Sequence, residues 1–226
     1  MAKYYVGWDV GAWHCDKNKN SRDAIAVLNE NGETVQTKRK VVRCELNENS
    51  IFSFLNKYFG CSEFFKEEDI FIFAIDAVFC LPIGVQEIPI HSAPEDYKSN
   101  PFLFRLTEQF VKEKTGNQCL SMIQDNIGSQ ATKIMFFLKH FSFKQKEIGV
   151  WKTDDNKATA IEVYPKLASN YDPNKKTDKY DAVKCCEIAE KFANERNAFF
   201  APEDCLKIMG DTIKKEGWIW FLKQTD

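Results

Sequence analysis

The sequence predicts a mixed α/β domain whose sheet begins with three antiparallel strands and continues with parallel ones. Three observations support this class. Residues 3–10 alternate in the manner of a strand. An Asn-Gly pair at 31–32 joins two further strand segments and is typical of a hairpin turn. Residues 70–75 form a short, continuously apolar run rich in isoleucine and phenylalanine, which indicates a strand covered on both faces.

The remaining elements follow from capping residues and apolar spacing. Ser50 is a suitable N-cap, and the apolar residues after it recur at helical spacing. Pro101 is typical of the first position of a helix. In chain order, we expect strands at 3–10, 22–28 and 33–43, a helix after Ser50, a strand at 70–75, helices after Asn100 and at 125–141, a strand at 158–164, a helix after Thr177 and a helical tail.

The chain of 226 residues suits a single domain, because that length is ample for one hydrophobic core. We find no internal repeat and no linker, so the domain is expected to span residues 1–226. A helical insertion is expected at about residues 95–150, between the fourth and fifth strands. The C-terminal helical tail is expected at about 201–226, and Trp218 and Trp220 are expected to anchor it.

Charge and hydropathy exclude some partners. The 31 basic and 33 acidic residues leave a net charge of -2, so no global positive field attracts nucleic acid, and such binding requires local patches. The longest apolar region, residues 70–85, is interrupted by Asp76 and Pro82 and is too short to span a membrane. The composition gives no indication of the oligomeric state.

The eight cysteines show neither a CxxC motif nor the spacing of a disulfide framework. Met1 leads directly into the first predicted strand, without a signal peptide. We therefore expect reduced thiols and a cytoplasmic protein. The pair Cys185-Cys186 is expected to pack in the core. The three histidines are far apart in sequence, and no Cys/His zinc site is indicated.

Acidic residues fall at the ends of two predicted strands. Asp76 follows the apolar run 70–75, and Asp9 lies near the end of the first strand. In α/β sheets, functional groups gather at the carboxyl ends of the strands. Carboxylates brought together there repel one another unless a cation compensates them. Hard oxygen ligands suit Mg²⁺ or Mn²⁺, and two such ions can promote phosphodiester cleavage.

A nucleic-acid substrate also requires positive charge. Arg105 is expected to stabilise the charge that develops on the scissile phosphate. The basic residues expected to bind substrate phosphates are Lys17, Lys19, Arg22 and Lys133, and the edge residues Lys38, Arg39 and Lys40 are further candidates.

Five motifs in order resemble those of the DUF429 family of predicted RNase H-like nucleases. The first two contain the strand-end aspartates, the third and fourth lie on a helix and a strand, and the fifth lies on a late helix. They are VGWDVG (6–11), AIDAVFCLP (74–82), RLTE (105–108), EVYP (162–165) and KYDAVKCCEIA (179–189). Residues 78–80 depart from the family's usual turn after the aspartate, which affects the geometry of that loop.

The resemblance implies a ribonuclease H-like fold with a mixed five-stranded sheet flanked by helices, and metal-dependent hydrolysis of nucleic acid. Whether the substrate is DNA or RNA stays open. Asp9, Asp76 and Asp181 would hold one or two Mg²⁺ or Mn²⁺ ions. Glu162, Arg105 and Glu108 would complete the catalytic set.

Simpler interpretations exist for several of these residues. Glu162 could face solvent or pair with Arg105, and Arg105 with Glu108 has the spacing of a surface ion pair. Two other functions also fit the fold. One is a non-catalytic module that binds nucleic acid or protein. The other is a nucleotide-binding phosphotransfer domain, which the absence of a second phosphate loop disfavours.

Overall fold

The computed structural model describes residues 1–15, 19–88, 94, 100–175, 177–209 and 211–223. The strands are β1 (Lys3–Asp9), β2 (Asp23–Leu28), β3 (Thr34–Lys40), β4 (Ile70–Asp76), β5 (Lys144–Glu147), β6 (Val150–Lys152), β7 (Ala158–Val163) and β8 (Ile219–Trp220). The helices are α1 (Ile51–Phe59), α2 (Ile83–Gln86), α3 (Leu106–Thr115), α4 (Gly128–His140), α5 (Asp178–Asn194), α6 (Pro202–Met209) and α7 (Thr212–Glu216). Among these, no helix combines the length and the apolar character that crossing a membrane requires.

The strands form one mixed sheet in the order β3-β2-β1-β4-β7-β6-β5, with β8 paired to β7. β1, β2 and β3 are antiparallel, whereas β4 pairs in parallel with both β1 and β7. The predicted change from antiparallel to parallel pairing is therefore confirmed. The expected number of five strands is wrong, because the described residues form eight.

The three unpredicted strands are too short or too polar to show a strand pattern of their own. β5 has the sequence KQKE and is mostly exposed, so no hydrophobic alternation marks it. It forms because it pairs with β6 across a turn in which Gly149 has a φ of 71°. This hairpin closes the predicted helical insertion. β8 has only two residues and depends on its pairing with β7.

The sheet is covered on both faces. One core contains side chains from α5 together with Tyr5 and Ala74. The other core contains side chains from α1 and α4 together with Trp8 and Ile75. Because side chains alternate along a strand, β1 and β4 each contribute to both cores. The central strands are thereby held rigidly between two layers of helices.

The helix expected after Asn100 begins later than predicted. The Asn100 carbonyl accepts hydrogen bonds from the backbone of Leu103 and Phe104, which forms a turn rather than a helix. The helix α3 begins at Leu106, because the Glu108 carboxylate reaches back and accepts a hydrogen bond of 3.0 Å from the Arg105 N–H. Arg105 therefore precedes the helix and turns inward.

Candidate active site

Two aspartates end neighbouring strands at the same level of the sheet. Asp9 lies opposite Asp76 in the parallel register of β1 and β4, and neighbouring strands are about 4.8 Å apart. The preceding residues, Trp8 and Ile75, pack into the core on the α1 and α4 side. Both aspartates consequently point to the α5 side of the sheet. The expectation that the first and fourth strands are neighbours is confirmed.

The helix α5 adds a third carboxylate, Asp181, in its first turn. The Thr177 side chain caps the helix by accepting a hydrogen bond of 3.2 Å from the Tyr180 N–H. The helix packs directly on the main chain of β1, since a Cβ atom at Gly7 would lie 1.9 Å from the Ala182 carbonyl oxygen. Only glycine permits this approach, which sets the first turn of α5 beside the end of β1.

A thiol joins the helix to the two strands beneath it. The Gly7 N–H donates a hydrogen bond of 2.9 Å to Cys186 Sγ, and this thiol donates one of 3.0 Å to the Ala26 carbonyl. Cys185 and Cys186 are both fully buried, as the sequence predicts. These contacts fix the height of α5, and hence of Asp181, relative to β1.

The three carboxylates share an environment that disfavours their charged forms. Burial, and then the charge of Asp76, raises the pKa of Asp9 well above its usual range. Burial, and then the charge of Asp181, raises the pKa of Asp76 to about 7. Burial also raises the pKa of Asp181, although a hydrogen bond from the Tyr171 hydroxyl opposes this. A cation bound among them would lower all three pKa values.

Two buried oxygen atoms at this site receive no hydrogen bond from the described residues. They are Asp181 Oδ1 and Gln130 Oε1, the latter on α4. Buried acceptors are normally satisfied, so two unsatisfied ones at one site indicate a place for a cation or for ordered water. Both residues line a cleft of about 190 Å³ that also contains Asp9 and Asp76.

A cavity of about 400 Å³ opens at the opposite end of β4, beside Asp69 and His140. Two of the carboxylates in its lining already have partners. Asp69 accepts hydrogen bonds from the backbone of Ala2 and Lys66, and Asp154 pairs with Lys144 at 2.7 Å. The smaller cleft at the carboxyl ends of β1 and β4 is therefore the better candidate for chemistry.

Next to the aspartates, Arg105, Glu108 and Glu162 form a buried network of ion pairs. The Arg105 guanidinium donates hydrogen bonds of 2.8 Å to Glu108 and 2.9 Å to Glu162. Glu162 also accepts one of 3.0 Å from the Phe79 N–H, in the loop that follows Asp76. Arg105, Glu108 and Glu162 are at most 3% exposed. The network therefore connects β7 and α3 to that loop.

This geometry changes the roles expected for the three residues. Arg105 and Glu108 form a buried ion pair rather than a surface one. Arg105 has no exposed surface for a phosphate, so a structural role replaces the expected contact with the scissile phosphate. Glu162 is opposite Ile75 in the register of β4 and β7, which places it on the other face of the sheet from Asp76. Its contacts favour positioning the loop after Asp76 over contact with substrate.

Lys133 also differs from expectation. Its ammonium is fully buried and donates to both oxygens of Asp23, at 3.1 and 3.0 Å, and to the Ala12 carbonyl. Asp23 in turn accepts hydrogen bonds from the Gly11 and Val42 backbone N–H groups. The pair holds the segments that follow β1 and β3, and a structural role replaces the expected phosphate contact.

Two more of the expected phosphate-binding residues, Lys19 and Arg22, lie in the loop after β1. Lys19 is exposed. Arg22 is half-buried, and its guanidinium donates to the carbonyls of Lys19 and Ser21. Lys17 lies outside the described residues. Phosphate binding by Lys19 and Arg22 stays a prediction.

Two polar residues of the cleft were not identified from the sequence: Lys166 and Gln130. Lys166 directly follows the motif EVYP at 162–165, so its proximity to a motif residue was an available signal. Gln130 offers no such signal, because it lies one turn into α4 among other polar residues. Only the packing of α4 beside β1 brings it to the cleft.

The donor set of the cleft suits a hard divalent cation. Asp9, Asp76, Asp181 and Gln130 all offer oxygen atoms, and Mg²⁺ is typically held by one or two carboxylates and several waters. Within the described ranges, no group of three or more His, Cys, Asp or Glu side chains is arranged so that it could itself hold a metal ion. The residues thus fit a water-rich cation site rather than a closed cage.

Comparison with known proteins found no match to this chain. No family model matches the chain, and neither a curated protein nor a solved structure is similar to it. The resemblance to the DUF429 family therefore stays a prediction that depends on the five motifs.

Proposed function

We propose that this chain is a metal-dependent nuclease with a ribonuclease H-like fold, which hydrolyses phosphodiester bonds of nucleic acid. One observation carries the proposal: the carboxylates of Asp9, Asp76 and Asp181 gather at the carboxyl ends of two central strands, their pKa values are raised, and none of the three forms an ion pair with another described residue. Such clusters are characteristic of functional sites, since a fold gains no stability from uncompensated buried charge.

The topology supports the fold assignment. Three antiparallel strands precede a helix, and the parallel strand β4 then inserts beside β1. This is the order expected from the resemblance, with Asp9 and Asp76 on the central pair. The strands β5, β6 and β8 extend the sheet beyond the five that the resemblance implies.

Different residues of the cleft would bind the cation, contact its waters and position the loop after Asp76. Asp9 and Asp76 would hold the cation, with Asp181 and Gln130 facing its waters. Such a cation supplies the positive charge that lowers the pKa of an attacking water and offsets the charge of the phosphate. Asp181 Oδ1, which lacks a donor, is suited to accept a hydrogen bond from that water. Glu162 and Arg105 would hold the loop after Asp76 in place.

A non-catalytic binding module is the second candidate. Two features favour it: Arg105 and Lys133, both expected to contact phosphate, are buried in ion pairs, and the described carboxylates do not converge on a ready metal position. A nucleic acid or a protein could then occupy the cleft without being cleaved.

The test is a cleavage assay with the purified protein. Labelled single-stranded, duplex, hybrid and branched DNA and RNA are incubated with Mg²⁺, with Mn²⁺ or with EDTA. We expect cleavage of at least one substrate in the presence of the metal and none in EDTA. The Asp76→Asn variant should lose about 100-fold or more of the rate, as variants that lose a key charge commonly do.

The matched control is Asp154→Asn, which changes an exposed aspartate whose partners are Lys144 and Lys146. It should cleave at the wild-type rate. Cleavage that survives EDTA or the Asp76→Asn substitution would exclude the proposed mechanism. Tight binding without cleavage under every metal condition would favour the binding module.

A further inference from the structure

Among the described residues, the cleft has a single basic side chain whose charge is available. Among the described residues that line it, the basic ones are Arg105 and Lys166. The Arg105 guanidinium is fully buried and already bonded to Glu108 and Glu162. Lys166 is exposed and forms no ion pair within the described ranges. Any anion that enters the cleft would therefore meet Lys166.

The backbone holds Lys166 at the rim, beside the carboxylates. It lies in a short 3-10 turn, Pro165–Leu167, directly after β7, and proline at the first position fixes the direction of that turn. Lys166 and Asp76 line the same cleft, which also contains Asp181. An anion bound at Lys166 would consequently lie close to Asp76.

Apolar surface lies beside this cation. Tyr164 lines the same cleft, and Lys166 Nζ is 5.7 Å from the centre of its ring. Leu120, also in the lining, is 45% exposed. A cation next to aromatic and aliphatic surface is the combination that holds a phosphate and an unstacked base in single-strand binding sites. In a duplex, the base faces are stacked and could not reach this surface.

We propose that Lys166 binds a backbone phosphate of a single-stranded nucleic acid, while Tyr164 and Leu120 contact the adjacent unpaired base. This inference rests on the proposed function, since it names the substrate class of the same cleft. The rim would thus offset the repulsion that Asp9, Asp76 and Asp181 exert on a polyanion.

Binding is measured separately from cleavage. The Asp76→Asn background suppresses cleavage, and fluorescence anisotropy follows a labelled single-stranded oligonucleotide, as DNA and as RNA, and the duplex of the same sequence. Affinity is recorded from 50 to 300 mM salt. The variants added to this background are Lys166→Ala, Lys166→Arg, Tyr164→Leu and Lys175→Ala. Lys175 is the matched control, because it is an exposed lysine of the same β7–α5 connection that does not line the cleft.

We expect single strands to bind more tightly than the duplex. Lys166→Ala should weaken single-strand binding about tenfold, as the loss of one charged hydrogen bond does. It should also reduce the slope of log affinity against log salt by about 0.7, the value for one phosphate on a single strand. Lys166→Arg should keep both quantities. Tyr164→Leu should weaken binding without changing the slope, and Lys175→Ala should change neither.

Equal effects of Lys166→Ala and Lys175→Ala would overturn the inference, as would a preference for duplex or the absence of any binding. Its failure is distinguishable from failure of the proposed function. Metal-dependent cleavage that is unaffected by Lys166→Ala would refute only the role of Lys166. Binding that depends on Lys166, without cleavage by the wild-type protein, would refute only the nuclease.

Discussion

Two buried acidic clusters lie side by side in this protein and differ in how their charge is compensated. In the network behind β4, Glu108 and Glu162 share the guanidinium of Arg105, and their oxygens also accept backbone hydrogen bonds. At the ends of β1 and β4, Asp9 and Asp76 form no ion pair with another described residue, and their pKa values are raised although the nearby Lys166 ammonium acts against the rise at Asp76. The compensated cluster stabilises the fold, whereas the uncompensated one has no structural reason to exist. The contrast separates a structural carboxylate from a functional one.

The variant with the largest expected effect removes the positive charge that compensates the first cluster. Arg105→Met leaves Glu108 and Glu162 buried without a cation and should lower the free energy of unfolding by about 3–5 kcal/mol. Denaturant titration followed by tryptophan fluorescence measures the change. Lys144→Met is the control, because the Lys144–Asp154 pair is exposed and should contribute less than about 1 kcal/mol. Similar losses in the two variants would contradict the structural role of the network.

Adding a cation should compensate the second cluster. At pH 8, Mg²⁺ or Mn²⁺ at about 100 times its dissociation constant should raise the free energy of unfolding by about 2.7 kcal/mol. Thermal unfolding with increasing metal concentration measures this effect. Asp76→Asn should abolish it and Asp154→Asn should retain it. An equal response of all three proteins would show that the cation binds elsewhere.

Replacing one carboxylate in each cluster by an amide should change stability in opposite directions. Without divalent cations at pH 8, Asp76→Asn removes an uncompensated charge and should stabilise the fold by about 1 kcal/mol or more. Glu162→Gln weakens a paired site and should destabilise it by about 1–3 kcal/mol. Both are measured by denaturant titration in EDTA. Destabilisation by Asp76→Asn would mean that Asp76 is a structural residue.

The last expected effect is a gradual one, a pH dependence of the free energy of unfolding. Asp76 has a pKa of about 7 in the folded state, whereas an unfolded aspartate has one near about 3.9. Between these values the folded state binds more protons, so the free energy of unfolding falls as pH rises from about 4 to 7, by at most about 1.4 kcal/mol per pH unit from this group. The wild-type protein in EDTA should therefore show a steeper fall than Asp76→Asn. Parallel curves would contradict the raised pKa.

Part of this arrangement was predictable because it depends on local pattern. An apolar run that ends in Asp76 identifies a buried strand with a carboxylate at its end, and the alternation of residues 3–10 does the same for Asp9. The acidic first turn of α5 follows from the Thr177 cap. These features require nothing from distant parts of the chain.

The remainder depends on tertiary contacts that no local pattern shows. Arg105 and Lys133 have the sequence context of surface cations, and only folding brings Glu162 to the former and Asp23 to the latter. The strand β5 is likewise polar by sequence and exists only through its pairing with β6. Whether a buried carboxylate is paired with a cation depends on the folded structure. The sequence alone therefore could not distinguish the structural cluster from the functional one.

The contact of α5 with Gly7 provides a way to measure how often the site opens. The Gly7 amide lies beneath the helix and donates to Cys186 Sγ, so its hydrogen is shielded from solvent until α5 lifts from the sheet or the sheet itself opens. Two of the three aspartates, Asp9 and Asp181, belong to the two elements joined at this point. Exchange at this single amide, followed by NMR in deuterated water, therefore reports how often the two carboxylates separate.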